Sequence, residues 1–137
     1  MSEPPKPPTG TLYYVMPVDV HENLVAKAYL RRGFSADEAG NAAKVATNAS
    51  YHGIRTHNAL KALHLDDHMG SMGGKGNGCV PQAAIIKKDT PYKAVEKWDC
   101  QRKLGQAVAQ LAMQRCMEMA DEYGVGIVTV DNAFHYL

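Results

Sequence analysis

The sequence has little of what several chemistries require. It holds three cysteines in 137 residues, Cys79, Cys100 and Cys116, with no CxxC pair and no even-numbered framework. That excludes a disulfide scaffold and a cysteine-based zinc site, and it fits reduced thiols in a cytoplasmic protein. Charge of one sign is also missing. Fifteen Lys and Arg oppose 14 Asp and Glu, leaving a formal charge of +1. Nucleic-acid and membrane-surface partners are therefore not expected. No apolar run approaches the roughly 18 residues that span a bilayer. The first residues, Met1-Ser2-Glu3-Pro4-Pro5-Lys6-Pro7-Pro8, contain no apolar core of a secretory signal.

What is present is a chain with a 45% apolar and 21% charged composition, which suits one ordinary globular domain. Four of its seven prolines fall in the first eight residues. The reading divides the chain into a Pro-rich extended arm, residues 1–17, and a domain over residues 18–137. A short strand is expected around Leu12, Tyr14 and Met16. Asp19, with Glu22 three residues on, reads as the cap of a first helix that Gly33 ends. Ser35-Ala36-Asp37-Glu38 is a capping box for a second helix. Ala39, Ala42, Ala43, Ala46 and Ala49 then recur at helical spacing, a face on which another helix approaches closely. Gly53 ends it. A third helix is expected over residues 59–68.

Residues 70–78 contain five glycines in nine positions. They form no phosphate loop, because Lys75 is followed by Gly76 rather than Ser or Thr. Residues 83–87 and 92–98 read as two strands around Asp89-Thr90-Pro91. A long helix follows over residues 103–122, with an apolar stripe of Leu104, Val108, Leu111, Ala112, Cys116, Met119 and Tyr123. Residues 126–130 read as a β-branched buried strand. The layout is α/β, a helical cluster beside part of a mixed sheet.

Three histidine arrangements carry candidate chemistry. In Arg55-Thr56-His57-Asn58 a hydroxyl precedes an imidazole, the side chain suited to proton transfer near neutrality. Lys61, one turn on, is placed to hold an anionic group. The alternative is a capping Thr beside a surface His. His64 and His68 share a helix face at the i, i+4 spacing of a metal chelate, but a solvated polar face fits them better and no metal is expected. Asn132-Ala133-Phe134-His135 follows the last strand, where α/β folds place ligands.

Together these segments resemble the second-type malate/L-lactate dehydrogenases, a family that includes ureidoglycolate, sulfolactate, diketogulonate and Δ1-piperideine-2-carboxylate oxidoreductases. Phe34-Ser35-Ala36-Asp37-Glu38-Ala39 resembles the start of the family's second helix. Gly53-Ile54-Arg55-Thr56-His57 is similar to its Gly-hydrophobic-x-Ser-His-Gly loop. Gly105-Gln106, Gly124-Val125-Gly126 and Asn132-Ala133-Phe134-His135 are similar to its Gly-Gln helix, Gly-Val-Gly strand and Asn-Ser-x-His-Phe-Gly loop.

The resemblance implies an NAD- or NADP-dependent oxidoreductase acting on a small 2-oxo, 2-hydroxy or cyclic imino acid. It implies His57 as proton donor or acceptor, Thr56 as its relay, and His135 and Asn132 at the substrate. Lys61 stands where the family has the Arg that binds the substrate carboxylate. Thr56 keeps the hydroxyl of the family's Ser, Asn58 replaces Gly, Lys61 keeps charge but loses the bidentate fork, and Tyr136-Leu137 replaces Phe-Gly. Family members are much longer. A second polypeptide is therefore expected to complete the fold, to supply most of the dinucleotide pocket, and to pair as a dimer of the completed unit. On its own the chain is expected to aggregate. The contrasting reading is a non-redox or regulatory subunit that keeps the scaffold.

Overall fold

The computed structural model describes residue 10, residues 15–57, residue 59 and residues 78–134. Most of the expected Pro-rich arm, the helix over 59–68, the glycine-rich loop and the last three residues lie outside these. Val15 and Met16, the end of the expected first strand, carry no regular structure.

Helix α1 spans Val18–Arg31. It starts two residues earlier than the capping signal predicts. Pro17, with φ −54° and ψ 142°, is the N-cap, and its carbonyl accepts the His21 N–H at 3.0 Å. Asp19 falls inside the first turn, makes no capping bond, and acts only through its charge at the positive helix end. Helix α2 spans Ala36–Tyr51, and here the capping box forms as expected: Glu38 N–H donates to Ser35 Oγ at 3.2 Å and Ser35 N–H to Glu38 Oε2 at 2.9 Å. The alanine face is buried throughout, and it packs against Val25 and Tyr29 of α1.

Both helices end in the same way. Gly33 (φ 88°) and Gly53 (φ 72°) adopt the left-handed conformation that glycine takes without a Cβ penalty. The following residues reach back, Phe34 N–H to Tyr29 O at 3.4 Å and Ile54 N–H to Ala49 O at 2.8 Å, the bonds of a Schellman motif. In α1 the motif carries its apolar contact, with Tyr29 and Phe34 rings edge to face at 5.5 Å.

The sheet has three strands in the order β1-β2-β3: β1 (Ile86–Lys88), β2 (Val95–Asp99) and β3 (Ile127–Asp131). β1 runs antiparallel to β2, with Lys87 opposite Trp98; β2 runs parallel to β3, with Trp98 opposite Val130. Helix α3 (Gly105–Tyr123) makes the crossover that parallel pairing requires. Trp98, Cys100 and Val108 form a core between sheet and helix, and Leu104 and Ala107 join the α1–α2 core.

Two expectations need correction. β3 is not a buried strand: Ile127 and Val130 are 48% and 37% exposed, and Val128 is the β3 residue that packs into the sheet–helix core. Among the described residues β3 is an edge strand, so its β-branched run has no second layer over it. The α3 stripe is likewise covered only in part. Leu104, Val108 and Met119 are buried, Ala112 and Cys116 are half-buried, and Leu111 and Tyr123 are exposed.

Candidate functional site

The first part of the site sits at the end of α2. The Schellman turn at Gly53 redirects the chain into a single 3-10 turn, Arg55–His57. There Thr56 Oγ1 and His57 Nδ1 are hydrogen-bonded at 2.7 Å. Thr56 is exposed and His57 half-buried. The turn stands on a fixed base. From α1, His21 spans two hydroxyls of α2, with Nδ1 3.0 Å from Thr47 Oγ1 and Nε2 3.3 Å from Ser50 Oγ.

The second part lies at the carboxyl ends of the two parallel strands. Beyond β2 and β3 the backbones keep pairing irregularly. Cys100 N–H donates to Asp131 O at 2.9 Å, Arg102 N–H to Asn132 O at 2.7 Å, and Phe134 N–H to Lys103 O at 2.9 Å. Phe134 O then accepts the Gly105 N–H at 2.9 Å. Residues 132–134 thus form a strap laid against the start of α3. The path needs left-handed backbone at three residues with side chains, Gln101 (φ 49°), Arg102 (φ 62°) and Asn132 (φ 54°). Conformations of this kind persist where the surroundings over-determine them, and they gather at functional sites.

The Asp99 carboxylate is one such constraint. Its Oδ1 accepts from Asn132 Nδ2 at 3.0 Å and from Gln101 Nε2 at 2.8 Å, and Lys88 stands 3.3 Å from Oδ2. The Asn132 bond, the Gln101 bonds and Lys88 hold its pKa down at about 2. Glu38 is another. Burial pushes its carboxyl up, but the bond from Lys103 and the backbone N–H of Ser35 outweigh burial and lower it. By contrast, burial pushes the Cys79 thiol up to about 12 and also raises that of Cys100. These thiols are core groups, not nucleophiles.

The two parts share a wall. Ala59, two residues past His57, and Phe134, the residue before His135, both pack against the core built from α1, α2 and the start of α3. Thr56 and His57 are in contact, and Asn132 is on the strap with its amide nitrogen committed to Asp99. Lys61, His64, His68 and His135 lie outside the described residues, within which no three His, Cys, Asp or Glu side chains gather to hold a metal. Sequence reasoning missed three residues. Asp99 and Lys103 gave no signal, and Glu38 signalled only a helix cap. Gln106 entered as part of a motif without a role. It is 7% exposed, and its Oε1 is the buried side-chain oxygen without a donor among the described residues.

Comparison with known proteins follows the same lines. A 2,3-diketo-L-gulonate reductase of Klebsiella pneumoniae is 29% identical over 108 residues, covering 79% of this chain and 31% of the relative. Malate dehydrogenase from Pyrococcus horikoshii superposes with a TM-score of 0.79 at 22% identity, over 90% of this chain and 34% of that one. Sulfolactate dehydrogenase from Methanocaldococcus jannaschii superposes with a TM-score of 0.73 at 25% identity, over 87% and 33%. The chain spans about a third of the length of the relatives it matches. The family profile of malate/L-lactate dehydrogenase covers residues 16–137, and the chain belongs to that family.

Proposed function

We propose that this chain carries the proton-transfer part of an NAD- or NADP-dependent oxidoreductase that interconverts a small 2-oxo or cyclic imino acid with its 2-hydroxy or amino acid. The observation that carries the reading is the 2.7 Å bond between Thr56 and His57. With Nδ1–H donating to Thr56 Oγ1, the doubly protonated ring gives its Nε2 proton to a substrate oxygen or nitrogen during reduction. The neutral ring left behind keeps the Nδ1–H bond to Thr56, and its bare Nε2 takes the proton back in the reverse reaction. One hydroxyl partner therefore supports both directions. Lys61 would hold the substrate carboxylate as a point charge, and Asn132 and His135 would contact the substrate from the strap.

The nicotinamide ring, when bound, supplies or takes the hydride. The residues present fit it at one point. The orphaned Gln106 Oε1, in the first turn of α3 beside the strap, matches the NH2 of the ring's carboxamide. In this reading the rest of the dinucleotide belongs on a completing region, whether a separate polypeptide or a continuation. In this reading the completed unit pairs as a dimer in the cytoplasm.

The test uses the chain with its completing region, a panel of 2-oxo and cyclic imino acids, and loss of reduced-nicotinamide absorbance. His57→Ala is expected to lower kcat by about 10² to 10⁴, the scale for removing a general acid. Wild-type turnover in that variant would remove His57 from the mechanism. Absence of turnover with both cofactors, together with no cofactor-dependent rise in melting temperature, would favour a scaffold subunit without redox chemistry.

A further inference from the structure

Glu38 lies in the first turn of α2, and Lys103, 65 residues later, lies two residues before α3. Their side chains are only 3% and 12% exposed. Lys103 Nζ donates to Glu38 Oε1 at 2.5 Å and to Ala83 O at 2.8 Å. The other carboxylate oxygen, Oε2, accepts the N–H of Ser35 at 2.9 Å and of Gln82 at 3.0 Å. One carboxylate thus joins the cap of α2, the turn at residues 80–83 and the approach to α3.

A helix cap does not require this. The capping box is complete with Ser35 and Glu38 alone. Two charges taken out of water are costly, and an apolar pair of similar volume often stabilises a fold as well or better. The pair's distinctive effect is on the backbone of Lys103. Its carbonyl accepts the Phe134 N–H, and two residues on Gly105 donates to the Phe134 carbonyl. These two backbone hydrogen bonds at Phe134 therefore run to the segment the ion pair anchors.

We propose that Glu38 and Lys103 are positioning residues for the strap. Their pair fixes the approach to α3 on which residues 132–134 are laid, and so sets where the strap, Asn132 included, stands toward substrate. The functional half of this inference rests on the oxidoreductase reading above; the structural half does not.

Hydrogen–deuterium exchange at the Phe134 and Gly105 amides tests the structural half directly, in the full chain with its completing region. Three variants are compared at a temperature where each is folded. Glu38→Gln keeps an acceptor for Ser35 and Gln82 but loses the charge. Lys103→Met loses the ammonium. Ser35→Ala weakens the same helix cap and leaves Lys103 alone. Exchange at the two amides is expected to rise by about tenfold or more in the first two variants, and by less than about threefold in Ser35→Ala. Unchanged exchange in the clamp variants, or an equal rise in Ser35→Ala, overturns the proposal. If Glu38→Gln does not fold, Lys103→Met and the double variant, which leaves no unpaired charge, carry the same comparison.

Turnover tests the functional half. The clamp variants are expected to lower kcat about tenfold with KM unchanged, and Ser35→Ala to change neither, because a displaced group costs rate more than binding. Wild-type kcat in the clamp variants overturns the functional half. A wild-type protein without turnover overturns the oxidoreductase reading, and the exchange result then still decides whether the clamp holds the strap.

Discussion

Gly126 and Gly124 stand two residues apart at the junction of α3 and β3, and the structure predicts different costs for adding the same methyl group to each. Gly124 has φ 80°, and a Cβ there would meet nothing within 4 Å. Gly124→Ala therefore costs only the left-handed backbone penalty, about 1 kcal/mol. At Gly126 φ is ordinary, but a Cβ would lie 2.2 Å from Cys116 O, 2.9 Å from Cys116 C and 3.0 Å from Cys116 Cα. These are backbone atoms of α3, so no flexible side chain can swing aside. The oxygen contact is about 1 Å inside ordinary packing distance, and relieving it means moving β3 off the helix that joins it to β2. Overpacking of this kind costs about 1 to 3 kcal/mol, and a backbone obstacle puts Gly126→Ala at the upper end, about 3 kcal/mol. In a domain of this size that corresponds to roughly 10 °C in melting temperature. Urea unfolding of both variants alongside wild type measures it. A midpoint shift at constant slope is expected, at least twice as large for Gly126→Ala. If Gly126→Ala is no less stable than Gly124→Ala, the close approach of β3 to Cys116 is wrong.

Two further predictions concern single polar groups. Gln106→Met removes a buried carboxamide oxygen that has no donor among the described residues, a group that costs about 1 to 3 kcal/mol, so the variant is expected to melt higher than wild type and to lose part of its cofactor-dependent stabilisation. A lower melting point would show that the amide is paired. Glu96 is partly buried, which pushes its carboxyl up, but Arg115 (2.6 Å), Lys87 (3.0 Å) and the Trp98 ring N–H (2.7 Å) outweigh this and hold it at about 2. A folded-state pKa below the unfolded value adds stability that is complete above about pH 4.5 and is lost as pH falls toward 2. Glu96→Gln is expected to flatten the stability profile across that window, and an unaltered acid limb in urea titrations would refute the network.

Much of this architecture was legible because local chemistry and global packing agree. Ser35 with Glu38 and the glycines at 33 and 53 marked helix ends by mechanism, and the alanine spacing marked the α1–α2 contact. The α1 start was missed by two residues because Pro17 fixes its own φ and competes with the Asp19 cap. β3 was misread because a β-branched run signals burial only if something covers it, and coverage is not local. The site divides in the same way. Thr56 and His57 are neighbours in sequence, so their bond was readable. Asp99 with Asn132, and Glu38 with Lys103, are separated by 33 and 65 positions, and no periodicity reports such pairs.

The separation also explains why the helical cluster and the sheet form one site rather than two packed pieces. α2 is contacted on its alanine face by α1 and is packed against α3. Its C-terminal end projects the Thr56–His57 turn, and its N-terminal end binds Lys103 through Glu38. Small side chains keep α1 close, and His21 fixes the axial register between the two helices through Thr47 and Ser50. A rigid α2 therefore relates the Thr56–His57 turn at one end to the strap at the other. Among the described residues the strap is held by the irregular bonds to residues 100–105, and its left-handed Asn132 by Asp99. Geometry between His57 and Phe134 then depends on two buried connections, the alanine face and the Glu38–Lys103 pair, rather than on the loops themselves.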